Sequence, residues 1–280
     1  MRISSQTTLA LGCVMQWKCH GRYVIPLPKY QLFFFQNALG PSSLPKGMDI
    51  DDAKRIAGIE AANFVLSGMK VGLGTGSTVK HTVVELGRRI KDEGLEIVGV
   101  PTSIVTERLA MEVGIPLIEL SDVDSLDIVI DGADEYDSNF QLIKGGGAAL
   151  LREKIVAQQS SAMVVVADDR KQVDVLGAFP LPIEVTPFAY MTTVRSLSNL
   201  MNCHVSIRIE EDKPLVTDNG NYIADAQTGP SISNPVNLEN EILQIAGVVQ
   251  VGLFNNMCDA VVLAGKNGIS THFRSNGRLS

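Results

Sequence analysis

The sequence predicts an α/β protein with a doubly wound, mostly parallel sheet of Rossmann-like type and a smaller α+β lobe. Three observations support this fold class. From about residue 49 onward, short and continuously apolar segments alternate with segments of helical spacing, which is typical of a parallel sheet covered on both faces. A glycine-rich turn follows the first apolar segment. After about residue 180 the alternation changes to a βαββα-like order, which indicates the smaller lobe.

The predicted elements follow one another in a regular order. The first helix lies in "DIDDAKRIAGIEAANFVLSG", with acidic residues in its first turn and Gly68 just beyond its end. The chain then continues with the strand "KVGLG", a helix from Thr78 to about Lys91, the strand "EIVGV", a helix at 105–113, the strand "LDIVID", a helix at 148–159 and the strand "AMVVVAD". The lobe adds a helix near 191–201, the strands "HVSIRIE" and "NYIADA", a helix near 238–245 and the strand "VVQVGLF". The last apolar segment, "DAVVLAGKNGIS", is expected to return to the first sheet as one buried strand.

These patterns divide the chain into four parts. We expect an N-terminal extension outside the fold at 1–47, a Rossmann-like catalytic domain at 48–180, the α+β lobe at 181–250 and a return to the catalytic domain at 251–280. The extension carries five basic residues and no acidic residue, a composition that an organelle transit peptide shares. We favour an extension outside the fold, which a misplaced start with Met48 as the true one would explain; the transit peptide comes next, and a poor secretion signal comes last.

Composition excludes several classes of protein. An apolar content of 45% with 20% charged residues is that of a globular chain and not of a disordered or collagen-like one. The chain after residue 48 has 19 basic and 31 acidic residues, so we expect no nucleic-acid partner. No stretch reaches the ~18 apolar residues that cross a bilayer, so we expect no membrane partner. The four cysteines and four histidines lack disulfide or metal-site spacing, which favours a reducing, cytoplasmic compartment and no metal.

The loop "GLGTGST", from Gly72 to Thr78, joins a strand to a helix, where backbone N–H groups and the helix dipole favour an anion. A P-loop needs a lysine before the hydroxyl residue, but Gly76 precedes Ser77. A dinucleotide fingerprint needs a third glycine at position 77 and an acidic residue about 20 positions later, near the end of the next strand, but the chain has Ser77 and then "GVPTS" at those places. The hydroxyls of Thr75, Ser77 and Thr78 suit a small phosphate monoester, and a merely tight turn is the alternative.

Acidic and basic residues cluster after the strand "LDIVID". The segment "DGADE" places Asp131 and Asp134 at the carboxyl end of that strand, which in open α/β sheets faces the same crevice as the glycine loop. Lys144, three glycines and a helix bearing Glu153 follow in "KGGGAALLREK". Carboxylates and an ammonium together supply general acids, bases and an electrophile. A magnesium site or a solvated loop would explain the acids taken singly, and a surface charge would explain Lys144.

Six ordered segments resemble the A-type ribose-5-phosphate isomerase family: "GLGTGST", "DGADE", "KGGGAALLREK", "ADDRKQVDVLGAFPLPIEV", "VTDNGNYI" and "VGLF". The similarity spans about 51–269 and includes none of the N-terminal extension. It implies an aldose–ketose isomerase that interconverts ribose 5-phosphate and ribulose 5-phosphate through an enediolate, in the non-oxidative pentose phosphate pathway. It also implies that no metal or other cofactor is used, and that the chain forms a homodimer or homotetramer.

The resemblance also implies roles for individual residues by motif match. Glu153 is the base at C2, Lys144 stabilises the enediolate oxygen, and Asp131 and Asp134 bind and relay protons at the sugar hydroxyls. The implied substrate-binding residues are Thr75, Gly76, Ser77, Thr78, Lys54, Gly145, Gly146 and Lys171. Ser103 and Thr106 in "PTSIVTERL" are expected to line the mouth of the site, although the family often has a more serine-rich loop there.

Three alternatives share parts of this pattern. Sugar-phosphate deaminases and CoA transferases resemble the family in fold, but a deaminase needs a histidine beside its acids and a CoA transferase needs a glutamate nucleophile in its own glycine context. His81 and His204 lie outside the acidic motifs. A non-catalytic sugar-phosphate binding module is expected to lack one catalytic carboxylate, whereas the sequence has Asp131, Asp134 and Glu153.

Overall fold

The structure is a computed structural model that describes residues 50–265 and 268–279. The predicted N-terminal extension at 1–47, including Cys13 and Cys19, lies outside the described residues. No helix within the described ranges is both long enough and apolar enough to span a membrane.

The described residues form six helices and fifteen strands, numbered here in chain order. The helices are α1 (Ile50–Ala62), α2 (Val79–Glu93), α3 (Ile104–Glu112), α4 (Leu150–Gln158), α5 (Tyr190–Met201) and α6 (Pro235–Leu243). The strands are β1 (Lys70–Leu73), β2 (Val98–Pro101), β3 (Ile128–Gly132), β4 (Glu135–Tyr136), β5 (Leu142–Ile143), β6 (Met163–Asp168), β7 (Leu181–Val185), β8 (Val205–Ile207), β9 (Ile209–Glu210), β10 (Lys213–Pro214), β11 (Tyr222–Ala226), β12 (Val248–Val251), β13 (Leu253–Phe254), β14 (Ala260–Gly265) and β15 (Gly268–Phe273).

The main sheet has six strands in the order β15-β14-β6-β3-β1-β2. All its pairings are parallel except the one between β14 and β15. All six residues of β6 are buried, as are the first four of β3, which is expected of parallel strands covered on both faces. The predicted doubly wound α/β fold is therefore confirmed.

Helix α4 lies against the main sheet because Gly72 of β1 has no side chain. A Cβ atom at Gly72 would approach Val156 of α4 to 2.6 Å and Val129 of β3 to 2.8 Å, closer than real Cβ contacts. The glycine therefore permits the close approach of the helix that carries Glu153 to the strand that leads into the glycine loop.

A second sheet, in the order β12-β7-β11-β8, is antiparallel, and helices α5 and α6 cover one of its faces. Leu181, Ile183 and Val185 of its central strand belong to the apolar core shared with those helices. The residue between the first two, Pro182, points to the opposite face by strand alternation. There it packs near Gly145 and accepts a hydrogen bond from Gly252 N–H through its carbonyl, at 2.7 Å.

Lys154 of α4 ties this helix to the second sheet. Its ammonium is almost fully buried and donates to Glu239 Oε1 at 2.6 Å, Val251 O at 2.8 Å and Gln250 Oε1 at 2.9 Å. Burial lowers the pKa of Lys154, and the charge of Glu239 opposes that effect. Three acceptors therefore compensate for the lost hydration of one ammonium group, and α4 is held by both sheets.

The structure corrects four of the predicted elements. The predicted strand "HVSIRIE" is divided into β8 and β9, and "VVQVGLF" is divided into β12 and β13, with the two parts in different sheets each time. Helix α1 ends at Ala62 and does not continue to Gly68, because Asn63, Phe64 and Val65 N–H groups bond three residues back and tighten the chain out of the α-helix. The predicted single strand "DAVVLAGKNGIS" is in fact two, since β14 joins β6 as expected and β15 then runs back beside β14. The small sheet β13-β5-β4, which contains part of "DGADE", was not predicted.

Replacing Lys154 by Met tests how far its ammonium stabilises the fold. Met fills a similar volume but leaves Glu239 without its cation, so the free energy of unfolding should fall by about 3 kcal/mol in urea denaturation. The double variant Lys154→Met, Glu239→Gln should recover part of that loss because no unpaired charge remains. A single variant as stable as the wild type would show that the contact does not hold the two sheets together.

Candidate active site

The site lies at the carboxyl edge of the main sheet, between the ends of β1, β3 and β6. Leu73 pairs with Ile130, so the glycine loop after β1 and the acidic segment after β3 leave the sheet side by side. They border a cleft of about 160 Å³. Its lining residues are Lys54, Thr75, Gly76, Ser77, Thr78, Gly132, Ala133, Asp134, Lys144, Gly145, Gly146, Gly147, Glu153, Val166, Ala167, Asp168, Arg170 and Lys171.

The glycine loop is fixed against Asp131. Gly74 N–H donates to Ile130 O at 2.9 Å, and Thr75 N–H donates to Asp131 Oδ1 at 3.1 Å. A Cβ atom at Gly74 would lie 2.3 Å from Asp131 Oδ1, so only glycine fits at this position. Gly76 has a φ of +136°, a conformation that other residues rarely adopt. Both glycines are therefore required by the backbone path of the loop.

The side-chain hydroxyl of Thr75 forms hydrogen bonds with a cluster of three other hydroxyl groups. Thr75 Oγ1 lies 2.8 Å from Thr102 Oγ1, 2.8 Å from Ser103 Oγ and 3.1 Å from Thr106 Oγ1. The other three residues are buried, and Thr106 Oγ1 also donates to Gly74 O at 2.9 Å. The expectation that Ser103 and Thr106 line the mouth of the site is thus wrong: both lie beneath the loop, where their hydroxyls replace water as partners for its polar groups.

Ser77 and Thr78 lead into helix α2. The N–H groups of Ser77, Thr78 and Val79 point to no acceptor among the described residues, as is usual at the first turn of a helix. Ser77 is exposed and Thr78 is half-buried. Together they form the part of the cleft best suited to a small anion.

Three cations line the same cleft. Lys54 reaches it from α1, and Lys171 reaches it from the short turn after β6, with its ammonium 5.8 Å from the centre of the Phe179 ring. Arg170 forms a two-bond ion pair with Asp168 at 2.7 and 2.9 Å. Arg170 and Asp168 line the cleft but were not predicted from the sequence, although "DDRK" begins at the last residue of the predicted strand "AMVVVAD".

Lys144 is the centre of the buried part of the site. Its ammonium lies 3.0 Å from Asp131 Oδ2 and 3.3 Å from Glu153 Oε2, and it donates to Gly132 O at 2.6 Å. The ring of Phe254 lies on another side, with its centre at 5.3 Å. All three charged side chains are buried, so two carboxylates share a single ammonium.

This arrangement raises the pKa of all three groups. Burial, then the charge of Asp131, raises the pKa of Glu153 to about 8, and Lys144 only partly opposes the shift. Burial alone would lower the pKa of Lys144, but Asp131 and Glu153 outweigh it, so that its pKa is raised and it stays an ammonium. Burial also raises the pKa of Asp131, against Lys144 and two backbone N–H groups. Those three contacts favour the charged form of Asp131 but do not outweigh the effect of its burial.

Asp134 lies on the open side of the cleft. Its Oδ2 accepts a hydrogen bond from Gly146 N–H at 2.7 Å, and a Cβ atom at Gly146 would lie 2.6 Å from Asp134 Oδ1. Asp134 is half-buried and lines the cleft. It can therefore exchange protons with a bound molecule while the glycine segment holds it in place.

Of the predicted catalytic and substrate-binding residues, the structure places all but one on the cleft. Asp131 is the exception, since its side chain has no exposed surface and lies behind Lys144. A direct contact of Asp131 with a sugar hydroxyl does not fit this position. Asp131 can instead act indirectly, because it forms an ion pair with Lys144 and accepts a hydrogen bond from the Thr75 N–H. In the described part of the chain, no group of three His, Cys, Asp or Glu side chains is arranged to hold a metal ion.

Comparison with known proteins identifies similar chains. The family model described as ribose 5-phosphate isomerase A (phosphoriboisomerase A) matches residues 98–268. A ribose-5-phosphate isomerase A of Bacillus cereus is 56% identical over 216 residues, which are 77% of this chain and 97% of that protein. A solved ribose 5-phosphate isomerase from Plasmodium falciparum is 36% identical with a TM-score of 0.78, over 81% of this chain and all of that one.

A second solved structure resembles the chain equally in fold. It is a D-ribose-5-phosphate isomerase in complex with phospho-erythronic acid, 41% identical with a TM-score of 0.78. The alignment covers 81% of this chain and 100% of that one. The similarity to both structures therefore extends over most of the chain and is not confined to single motifs.

Replacing Gly74 by Ala tests the contact between the glycine loop and Asp131. The added methyl group must displace the Asp131 carboxylate or the loop, so the free energy of unfolding should fall by about 1–3 kcal/mol. Gly132→Ala is the matched control, since its Cβ would find its nearest atom at 3.7 Å. Urea denaturation of both variants measures the difference, and equal stability of the two would contradict the close approach.

The raised pKa of Glu153 predicts a pH-dependent effect on stability. The folded chain binds the proton more tightly than the unfolded chain, whose value is near 4.5, so this group makes wild-type stability fall as the pH rises towards about 8. Glu153→Gln lacks this titration. Its melting temperature relative to wild type should therefore rise between pH 5 and pH 8 and level off above.

Glu112→Gln, at the exposed end of α3, is the matched control for that measurement. Its melting temperature should follow the wild type across the same range. A Glu153→Gln difference that is constant with pH would contradict the shifted pKa.

Proposed function

The chain belongs to the ribose 5-phosphate isomerase A family, and we propose that its cleft interconverts D-ribose 5-phosphate and D-ribulose 5-phosphate. The reaction is an intramolecular oxidoreduction, an aldose–ketose isomerisation of the non-oxidative pentose phosphate pathway. A proton leaves C2 of the aldose, an enediolate forms, and a proton is delivered to C1. The observation that carries this assignment is the buried group of Lys144 with Asp131 and Glu153 beside an anion-binding loop.

The phosphate end of the substrate binds, in this proposal, at Gly76, Ser77 and Thr78. The free N–H groups at the start of α2 and the two hydroxyls offer hydrogen bonds, and the helix dipole adds a favourable field. Lys54 and Lys171 neutralise the charge of the phosphate from the two sides of the cleft. Thr75 holds the loop in place through its bonds to the hydroxyl cluster.

Glu153 is the proposed base at C2. A pKa near 8 makes its carboxylate basic enough to take a carbon-bound proton, while a useful fraction stays ionised near neutral pH. The proton taken from C2 is then returned to C1 of the enediolate by the same carboxyl group. Both transfers take place on one face of the substrate, as a single buried carboxyl group requires.

Lys144 stabilises the negative charge that develops on the enediolate oxygen. Its raised pKa keeps it charged, and the surrounding burial makes its field strong. Asp131 holds Lys144 in place from behind, at 3.0 Å. Asp134 and the segment Gly145–Gly146 bind the sugar hydroxyls, and Asp134 relays their protons during ring opening.

Related chemistries have less support in this cleft. A sugar-phosphate deaminase needs a histidine beside its carboxylates, and neither His81 nor His204 lines the cleft. A non-catalytic binding module does not need a buried carboxyl group whose pKa is raised to about 8. We propose further that the chain acts without a metal in the cytoplasm, where Cys203 and Cys258 stay free thiols, as a homodimer or homotetramer.

Turnover of ribose 5-phosphate by the wild type, followed as ribulose 5-phosphate formed, tests the function. Glu153→Gln keeps the shape of the side chain and removes the base, so kcat should fall by roughly 10²–10⁴. Binding of phospho-erythronic acid should survive in the variant. Exchange of the C2 proton with solvent, measured by NMR in deuterium oxide, should slow by the same factor.

A variant in the anion-binding loop separates binding from chemistry. Ser77→Ala with Thr78→Ala should chiefly raise KM, since the phosphate is remote from the reacting carbons. A Glu153→Gln enzyme that exchanged the C2 proton at the wild-type rate would remove Glu153 from the role of base. A wild type that did not convert ribose 5-phosphate would overturn the function itself.

A further inference from the structure

Arg208 of the lobe contacts the glycine segment of the cleft wall, Gly145 to Gly147, from outside. It lies between β8 and β9, and its Nη1 donates to Gly145 O at 3.0 Å and to Gly146 O at 2.9 Å. The other side of its guanidinium forms two bonds to Asp225 of β11, at 2.8 Å and 2.5 Å. Arg208 and Asp225 are largely buried, at 17% exposure each. Asp225 thus fixes the orientation of the guanidinium, and the Nη1 atom of the guanidinium bonds to the two peptide carbonyls.

The stereochemistry of the two peptides transmits this contact to the cleft. In a trans peptide the C=O and N–H bonds point in opposite directions, and no cis peptide bond occurs in the described residues. The first peptide gives its Gly145 oxygen to Arg208 and its Gly146 N–H to Asp134 Oδ2, at 2.7 Å. The second gives its Gly146 oxygen to Arg208, so its Gly147 N–H points away from Arg208, and Gly147 lines the cleft.

We infer that Arg208 is a positioning residue, which fixes the orientation of Asp134 and of the Gly147 N–H in the cleft through the two peptides Gly145–Gly146 and Gly146–Gly147. Three consecutive glycines have more backbone freedom than any other tripeptide, and Gly145 has a φ of +110°. A cation bonded to both carbonyls selects one orientation of the two peptides. It also polarises them, which strengthens their N–H groups as donors.

The effect should appear at the reacting end of the substrate. Asp134 lies near enough to Glu153 and Lys144 for its charge to raise the pKa of both. The anion-binding residues Ser77 and Thr78 make no hydrogen bond with Arg208, whose side chain bonds to Gly145, Gly146 and Asp225. Arg208 should therefore influence kcat more than it influences the binding of phosphate.

Arg208→Met removes the guanidinium and keeps much of the side-chain volume. In this test, which rests on the proposed function, kcat for ribose 5-phosphate should fall on the order of 10-fold to 100-fold, less than the 10²–10³ typical of a directly removed donor. The inhibition constant of inorganic phosphate should change less than twofold. Arg208→Lys keeps the charge but not the two-bond geometry and should give an intermediate kcat.

Arg195→Met, an exposed arginine of α5 in the same lobe, is the matched control and should keep wild-type kcat. A kcat per folded Arg208→Met enzyme within twofold of wild type would overturn the inference, even if the melting temperature fell. Parallel losses of kcat and phosphate affinity would overturn it too, since they indicate a general loss of structure. An inactive wild type would instead overturn the proposed function.

If Arg208→Met does not fold, the positioning role is tested with Arg208→Lys and Asp225→Asn. Asp225→Asn leaves Arg208 present but frees it from its two-bond partner. A decrease in kcat of at least threefold in both variants, with unchanged inhibition by phosphate, supports the positioning role. A smaller decrease in either variant overturns it.

Discussion

The burial of Lys144 between Asp131 and Glu153 is the constraint on which the rest of the site depends. Two buried carboxylates share one ammonium, and burial together with the charge of Asp131 raises the pKa of Glu153 to about 8. A group that holds its proton up to a pKa of about 8 is costly to the fold and useful as a base. The same arrangement of charges therefore accounts for a loss of folding stability and for the proposed role of Glu153 as a base.

Both sheets are needed to hold that arrangement. The main sheet supplies Asp131 at the end of β3, while Lys144 N–H bonds to Gly252 O, whose own N–H bonds to Pro182 of the lobe. Helix α4 carries Glu153 between two residues that reach the lobe: Arg152 donates to Asn219 Oδ1 at 2.9 Å, and Lys154 donates to three acceptors. The lobe therefore acts as part of the active site without lining the cleft with its own side chains.

The parts of the candidate site that are contiguous in the chain could be predicted from the sequence. "GLGTGST", "DGADE" and "KGGGAALLREK" each place glycines and charges within a few residues, so local spacing identified them. Arg208 could not be found this way, because 62 and 63 residues separate it from the carbonyls it bonds. The burial of Asp131 and the hydroxyl cluster under Thr75 were missed for the same reason, since both depend on how neighbouring strands and helices pack.

The protonation of Glu153 can be observed directly by NMR with glutamate labelled with carbon-13 at the side-chain carboxyl. Glu153→Gln assigns the resonance, and a titration from pH 4 to pH 10 then follows its chemical shift. The buried arrangement predicts a midpoint near 8. It also predicts a higher midpoint when Lys144 is replaced by Met, because the positive charge of Lys144 lowers the pKa of Glu153. A midpoint near the ordinary glutamate value of about 4.3 would contradict the account.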